Sequence, residues 1–170
     1  MFFDEEMLLD LRLNVLNEYV DKFVITEATY MHSGKPKKLL FDINKFPKFK
    51  DKIIYQVIDK LPQNIETIYE KDRDEKDTRG QKLANNSNKR EHYQRDMGQE
   101  SKTILKNADP NDIILIGDVD EIPNLEKINF NKINKKLFFF RQKMFFYKFN
   151  LLHEEISWTG TRACRKKYFI

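Results

Sequence analysis

Three acidic residues stand directly after a short apolar run in the second half of the chain. The run Ile-Ile-Leu-Ile occupies residues 113–116, and Asp118, Asp120 and Glu121 follow it before Pro123. In an extended backbone residues i and i+2 point to the same side, so the carboxylates of Asp118 and Asp120 can face one cation or one sugar. Carboxylate oxygens suit Mg²⁺ or Mn²⁺, which usually bind substrate phosphates alongside one or two protein carboxylates. The pattern predicts a metal site for a phosphorylated ligand.

Two other interpretations of these acids stay open. A bare Asp-x-Asp more often lies in a helix cap or a solvated turn, although ligands of open α/β sheets do bind outside the carboxyl ends of strands. A phosphatase of the haloacid dehalogenase type also places Asp-x-Asp after an apolar strand, with the first Asp as nucleophile. Such a phosphatase would have Thr or Val in place of Ile122 and a Gly-rich turn in place of Pro123 and Asn124. It is the weaker alternative.

The spacing of apolar residues predicts the elements of the first half of the chain. Asp4 is expected to cap a helix whose apolar residues recur at intervals of three and four over residues 7–20. The runs at 23–25 and 53–58 predict buried strands. The stretch 70–88 has one sizeable apolar residue, Leu83, and several helix breakers, so we expect a long, mobile, polar loop there.

The second half of the chain is expected to complete an α/β domain. A helix is predicted from Arg90 to about Asn107, with buried positions at Tyr93, Met97, Ile104 and Leu105. The strand over 112–116 is followed by two aromatic-rich strands within 137–149 and by one more after residues 158–161. Helices that alternate with buried strands predict one three-layer α/β domain over residues 1–170.

Length and composition narrow the class of protein. The chain has 170 residues, and 31 basic against 27 acidic residues leave a net charge of +4. Charges of both signs are interleaved, which disfavours nucleic-acid binding. No apolar run approaches the roughly 20 residues of a transmembrane helix, and peripheral contact with a membrane stays open. The first residues do not resemble a secretory leader, and the single cysteine, Cys164, indicates a reducing compartment. We therefore expect a cytoplasmic protein.

Several collinear segments of the chain resemble glycosyltransferase family 17. The matching segments are L-L-D-L-R-L at 8–13, V-D-K-F-V-I-T-E at 20–27, H-S-G-K-P-K at 32–37, K-R-E-H-Y-Q-R at 89–95, D-V-D-E-I-P at 118–123, R-Q-K-M-F-F-Y at 141–147 and W-T-G-T-R-A at 158–163. The likeness covers nearly the whole chain apart from residues 70–88.

The resemblance implies a GT-A-like fold, a three-layer α/β domain with a mixed, mostly parallel sheet. It also implies a nucleotide-sugar donor, in the first place UDP-GlcNAc, a glycan acceptor, and Mn²⁺ or Mg²⁺ on Asp118 and Asp120. Transfer with inversion at the anomeric carbon needs a carboxylate that takes the proton of the acceptor hydroxyl. The candidates for this base are Glu121 and two acids expected in a loop, Glu154 and Glu155.

Donor contacts are expected from residues in several matched segments, and each has a structural alternative. Glu27 could bind uracil or ribose, or could pair with a lysine. Arg95 could form an ordinary surface pair with Glu91, four residues away. Arg141 is expected between aromatic strands, where burial of an unpaired guanidinium would be costly. The full set is Glu27, His32, Lys35, Arg90, Arg95, Asp118 and Arg141.

The chain also departs from the family pattern at both ends. Family members usually have a short strand before the Phe-Phe-Asp segment at 2–4, and a region rich in His, Trp and Ser after the W-T-G-T segment. Neither occurs in this sequence. We therefore expect an incomplete domain, and a nucleotide-sugar or glycan-binding remnant without turnover is the alternative to an active enzyme.

Overall fold

The computed structural model describes residues 1–73, 78–99, 106–147 and 150–169. The chain divides into two compact units. Unit 1 consists of residues 1–4 and 22–101, and unit 2 consists of residues 5–21 and 102–170. Unit 2 is therefore assembled from two separate stretches of sequence.

Unit 1 contains a parallel pair of strands, β1 (Phe23–Ala28) and β2 (Ile53–Ile58). Every residue of β1 except Val24 is buried, in agreement with the apolar pattern. The long helix α2 (Thr78–Gln99) lies against this pair, with Tyr93 and Met97 packed on a cluster of Ala28, Tyr30 and Ile58. Both strands are confirmed, whereas Tyr93 and Met97, predicted as buried, are only partly buried. The predicted buried positions at 104 and 105 lie outside the described residues.

The start of α2 corrects the prediction of a polar loop over residues 70–88. A short 3-10 helix covers Glu70–Arg73, and α2 already begins at Thr78. Asn86 is buried, and its side-chain amide both accepts from the Glu66 N–H and donates to the Glu66 carbonyl, each at 2.8 Å. Lys82 binds both carboxylate oxygens of the buried Asp72. These tertiary contacts compensate for the low intrinsic helix propensity of the Asn-rich segment.

Unit 2 begins with helix α1 (Glu6–Leu16). Leu9, Leu13 and Leu16 are buried, whereas the neighbouring stripe remains open, with Leu11 and Val15 each 46% exposed. The residue before the helix is Glu5, and its side chain makes no capping hydrogen bond. The predicted helix is confirmed, but the prediction of Asp4 as its cap is wrong, because the helix begins one residue later than that cap requires.

The strands of unit 2 are all antiparallel. Strand β7 (Arg162–Arg165) lies between β3 (Ile113–Ile116) and β4 (Leu137–Phe139), and β5 (Gln142–Phe146) pairs with β6 (Leu151–Trp158). The register of the second pair jumps, because Lys143 faces Ser157 while Met144 faces His153. Residues 154–156 of β6 therefore form a bulge that has no partner in β5.

The predicted α/β class is confirmed, but the expectation of one mixed, mostly parallel sheet is wrong. Within the described residues the strands form three small sheets, and β1 with β2 is the parallel pair among four pairings. Short turns connect β4 to β5 and β6 to β7, and such turns allow only antiparallel neighbours or a change of sheet. No described helix combines the length and apolar character that crossing a bilayer would require.

Candidate functional site

The acids after β3 form a tight turn at the carboxyl end of that strand. The N–H of Glu121 donates to the carbonyl of Asp118 at 3.1 Å, and the N–H of Asp118 donates back to Glu121 Oε2 at 3.1 Å. Glu121 is buried at 8% exposure, Asp118 is half-buried and Asp120 is exposed. The turn thus directs one carboxylate inward and leaves the Asp120 carboxylate open to a ligand.

Arg12, in the middle of α1, holds the backbone of this turn. Its Nη1 donates to the carbonyl oxygen of Asp118 at 2.8 Å and to the carbonyl oxygen of Glu121. Burial lowers the pKa of the Arg12 guanidinium, while the negative charges of Glu121, Asp118 and Asp120 act in the opposite direction. The partly buried guanidinium therefore brings a positive charge and two hydrogen bonds to the acidic turn.

The motifs do not predict a role for Arg12, although its position on the apolar stripe of α1 indicates that it needs a partner. Arg12 follows Leu9 by three residues and precedes Leu16 by four, so it lies on the same buried stripe of α1. An arginine on an apolar stripe needs a partner when it is buried. The partner is the acidic turn after β3.

Glu121, a predicted base candidate, accepts two hydrogen bonds from the chain itself. Its Oε1 accepts from the indole Nε1 of Trp158 at 2.9 Å, and its Oε2 accepts from Asp118 N. The two segments D-V-D-E-I-P and W-T-G-T-R-A therefore meet in unit 2 through this carboxylate.

The two other base candidates lie in a strand, which corrects their expected position in a loop. Glu154 and Glu155 belong to β6 and are exposed. Both fall in the bulge opposite the Lys143–Met144 step of β5. Bulges often change the direction of side chains next to active sites. Glu154 and Glu155 lie in such a bulge, outside the regular pairing of β5 with β6.

Asp118 and Asp120 are the residues that could hold a divalent cation. They supply hard oxygen donors, and Asp120 is exposed at the strand end. Among the described residues there is no group of three or more His, Cys, Asp or Glu side chains that could hold a metal ion. Two carboxylates would leave the other ligand positions of a Mg²⁺ ion to substrate phosphates and water, which is the usual arrangement for this ion.

In unit 1 the predicted donor contact Glu27 is the centre of a closed network. It is 1% exposed and forms an ion pair with Lys37. It also accepts from Leu40 N at 2.8 Å, Phe41 N at 3.0 Å and the Tyr55 hydroxyl at 2.8 Å. Burial alone would raise the pKa of Glu27, but these hydrogen bonds outweigh it and lower that pKa. Of the two interpretations of Glu27, the lysine pairing is the one observed.

Three predicted donor contacts of unit 1 are brought together at one turn. The turn closes through Met31 N to Lys35 O and Gly34 N to Met31 O, both at 2.8 Å, and Gly34 has a φ of +87°, which favours glycine. Arg90 of α2 donates from Nη1 to the His32 carbonyl at 3.0 Å, and its guanidinium lies against Gly34. Among the described residues the Nε of Arg90 is buried without a hydrogen-bond acceptor, so a ligand could reach it only if its packing against Gly34 changed.

The remaining two arginines show ordinary surroundings. Arg95 forms the expected i,i+4 ion pair with Glu91 at 3.0 Å, with both side chains about one-third exposed. Arg141 is exposed and donates from Nε to Ser157 Oγ at 2.6 Å, so the expected burial between aromatic strands is wrong. Arg141 directly precedes β5, and its side chain reaches Ser157 of the neighbouring strand β6.

Comparisons with known proteins agree with this arrangement of motifs. The chain is 26% identical over 133 residues to the human and rat proteins named beta-1,4-mannosyl-glycoprotein 4-beta-N-acetylglucosaminyltransferase. The match covers 74% of this chain and 21% of each relative, so the chain spans about a fifth of their length. No solved structure matches the chain. The model of glycosyltransferase family 17 matches residues 1–168, and the chain therefore belongs to glycosyltransferase family 17.

Proposed function

We propose that this chain acts as a metal-dependent, inverting glycosyltransferase that moves GlcNAc from UDP-GlcNAc to a glycan acceptor. The observation that carries the proposal is the turn after β3, in which the exposed Asp120 follows a strand end whose backbone is fixed by Arg12. Membership of family 17 gives the reaction class. The printed name of the relatives supports GlcNAc as the sugar and a mannosyl glycan as the acceptor.

The donor side of the proposal uses the acidic turn of unit 2. Asp118 and Asp120 would hold Mn²⁺ or Mg²⁺ together with the diphosphate of the donor. The cation would stabilise the negative charge that develops on the departing nucleotide. The chain contributes a strand end that is already rigid before the ligand binds, so little ordering has to accompany binding.

In unit 1, considered by itself, His32, Lys35 and Arg90 stay predicted contacts of an anionic group. The support is the turn at 31–35, where Arg90 donates from Nη1 to the His32 carbonyl. A guanidinium of this kind suits a phosphate oxygen. Glu27 is left out of the donor contacts, because all four of its hydrogen bonds are made within unit 1.

The proposal assigns the catalytic base to Glu154 or Glu155. Both are exposed in the β6 bulge, so a carboxylate oxygen can reach an acceptor hydroxyl. Replacement of the true base by Gln should lower kcat by about a hundredfold or more and change the donor KM little, since general base catalysis contributes 10²–10⁴. Comparison of Glu154→Gln with Glu155→Gln under saturating UDP-GlcNAc identifies which of them acts.

The proposal also includes a GT-A-like fold. Its support is the parallel pair β1 and β2 covered by α2, together with an acidic turn at the carboxyl end of β3. An experimental structure with bound UDP and Mn²⁺ would test this part, because a GT-A-like donor site would have the diphosphate at the β3 turn.

The decisive experiment measures transfer with the purified chain, UDP-GlcNAc, Mn²⁺ and a mannose-terminated acceptor. We expect release of UDP with formation of a GlcNAc-extended product. Asp120→Ala should lower this activity by about a hundredfold or more, because a bound cation supplies several kcal/mol of charge stabilisation. Glu126→Ala, which removes another exposed acid of unit 2, is the matched control and should retain activity.

The other outcomes favour other functions. Metal-dependent binding of UDP-GlcNAc without release of UDP would identify a nucleotide-sugar-binding remnant. Release of inorganic phosphate from phosphorylated substrates would identify a phosphatase. Equal activity of Asp120→Ala and the unmodified chain would contradict the metal site.

A further inference from the structure

The Glu121 carboxylate is enclosed by two segments that approach it closely. A Cβ atom at residue 160 would overlap Glu121 Oε1, and a Cβ atom at residue 117 would lie 2.9 Å from Oε2. Only glycine therefore fits at positions 117 and 160 while the carboxylate keeps its place. The glycine of W-T-G-T serves the packing of Glu121.

The backbone carbonyl of Glu121 is held as firmly as its side chain. Thr161, which has no exposed surface, donates from Oγ1 to this carbonyl at 3.2 Å, and Arg12 donates to the same oxygen from α1. The main chain of the turn is thus attached both to α1 and to the segment between β6 and β7. These attachments join residues 106 to 109 positions apart and 40 positions apart in sequence.

The Glu121 side chain accepts two further hydrogen bonds, in addition to those that its backbone carbonyl accepts. Trp158 donates to one carboxylate oxygen and Asp118 N donates to the other, at 2.9 Å and 3.1 Å. Since Asp118 is a predicted metal ligand, Glu121 acts directly on the backbone of that ligand. Outer-shell partners that orient a metal ligand typically change metal affinity or activity by 10–100-fold when they are removed.

We propose that Glu121 is a positioning residue, which together with Trp158, Thr161 and Arg12 fixes the turn that presents Asp118 and Asp120 to a metal-bound donor. This inference rests on the proposed function, and it removes Glu121 from the candidates for the base. A base must give a free oxygen to the acceptor hydroxyl, whereas both oxygens of the buried Glu121 accept hydrogen bonds from the chain. The indole of Trp158 then acts through its N–H on the metal site.

The test compares Mn²⁺ binding, in the presence of UDP, by the complete chain and four variants, which are Trp158→Phe, Thr161→Val, Thr161→Ser and Glu121→Gln. Trp158→Phe removes the indole N–H and keeps an aromatic ring. Thr161→Val removes the hydroxyl at nearly constant volume, and Thr161→Ser restores it. We expect the Mn²⁺ dissociation constant to rise about tenfold in Trp158→Phe and Thr161→Val and to stay within about threefold of the unmodified value in Thr161→Ser. Near-ultraviolet circular dichroism of each variant checks that unit 2 remains folded.

Glu121→Gln separates positioning from base catalysis. A positioning role predicts weaker Mn²⁺ binding, because the NH₂ group that replaces one carboxylate oxygen is a donor and cannot accept the hydrogen bond made there. A base role predicts unchanged Mn²⁺ binding and loss of kcat. The second pattern would overturn the inference.

The controls distinguish failure of the inference from failure of the proposed function. If the unmodified chain binds Mn²⁺ with UDP and the Phe and Val variants bind it equally well, the positioning role is wrong and the proposed function stands. If the unmodified chain does not bind Mn²⁺ in the presence of UDP, the proposed metal-dependent function is wrong and the inference falls with it.

Discussion

Two acidic strand ends in this chain look alike in sequence and differ in structure. Glu27 lies near the end of β1, and the acids at 118–121 follow β3. Glu27 is enclosed, with an ammonium and three hydrogen-bond donors on its two oxygens. At the other strand end the Trp158 indole and the Asp118 N–H donate to Glu121, whereas Asp120 is exposed.

The difference shows that the exposure of an acid at a strand end depends on the hydrogen-bond donors that a neighbouring segment brings to it. The loop at 37–41 comes back to β1 with Lys37 and two backbone N–H groups, which saturate Glu27. After β3 the indole of Trp158 donates to Glu121. In this chain the exposed acid, Asp120, is the neighbour of an acid whose carboxylate already accepts hydrogen bonds from the chain.

Removal of the enclosed carboxylate should produce the largest loss of stability. Glu27→Ala leaves the Lys37 ammonium, whose side chain is 5% exposed, without its partner. Breaking a buried pair in this way costs about 3–5 kcal/mol, which urea unfolding should detect as a lower free energy of unfolding. The double variant Glu27→Gln with Lys37→Met should recover part of the loss. A loss below about 1 kcal/mol for Glu27→Ala would contradict the enclosed network.

Removal of one donor should cost less than removal of the acid. Tyr55→Phe deletes the hydroxyl that donates to Glu27 at 2.8 Å. A hydrogen bond to a charged group contributes about 1.5–3 kcal/mol, so the free energy of unfolding should fall by that amount. Tyr147→Phe is the control, since Tyr147 is 95% exposed. Equal stability of the two variants would show that the Tyr55 hydroxyl does not support the carboxylate.

The free energy of unfolding should also depend on pH through Glu27. The folded-state pKa of Glu27 lies below its ordinary value of 4.5 because its hydrogen bonds outweigh burial. The unfolded chain therefore binds a proton first, and the stabilisation is complete above about pH 4.5 and is lost as pH falls through the lower folded pKa. Unfolding monitored between pH 6 and pH 3 should show this loss, and Glu27→Gln should weaken the dependence. An unchanged slope in Glu27→Gln would contradict the lowered pKa.

The exposed acid should have the smallest effect on stability. Asp120→Ala removes an exposed side chain at a turn, and such substitutions usually change the free energy of unfolding by at most about 0.5 kcal/mol. Its effect should appear in Mn²⁺-dependent transfer instead. Thermal unfolding without metal checks the first statement. A large loss of stability would show that Asp120 belongs to the fold in the way that Glu27 does.

Local patterns predicted the buried strands and the acidic strand end well. The runs at 53–58 and 113–116 are short, rich in β-branched residues and bounded by polar residues or glycine, which favours strands over helices. The same patterns could not predict the first half of α2. There Asn86 is helical because its amide binds the Glu66 backbone from a distant segment, a contact that local propensity does not contain.

Asp118 and Asp120 stay a prediction as metal ligands, and the residues that hold their turn were not predicted. Asp118 and Asp120 are marked by spacing after a strand, whereas the role of Arg12 depends on a contact across 106 residues. The parallel sheet expected from the family likeness was wrong for unit 2, since β3, β4 and β7 pair antiparallel. Whether two strands pair parallel or antiparallel depends on the path of the connection between them, and residue spacing along the chain does not reveal that path.

The discontinuity of unit 2 has a consequence during synthesis on the ribosome. The partners of Glu27 lie within 28 residues of it, so they emerge soon after it does. Helix α1 has to wait until residues 118–121 emerge, which at translation rates of about 5–20 residues per second takes roughly 5–20 s. Unit 1 is therefore expected to fold while Leu9, Leu13 and Leu16 of the nascent α1 are still uncovered. This apolar stripe is where a chaperone that binds nascent chains would act.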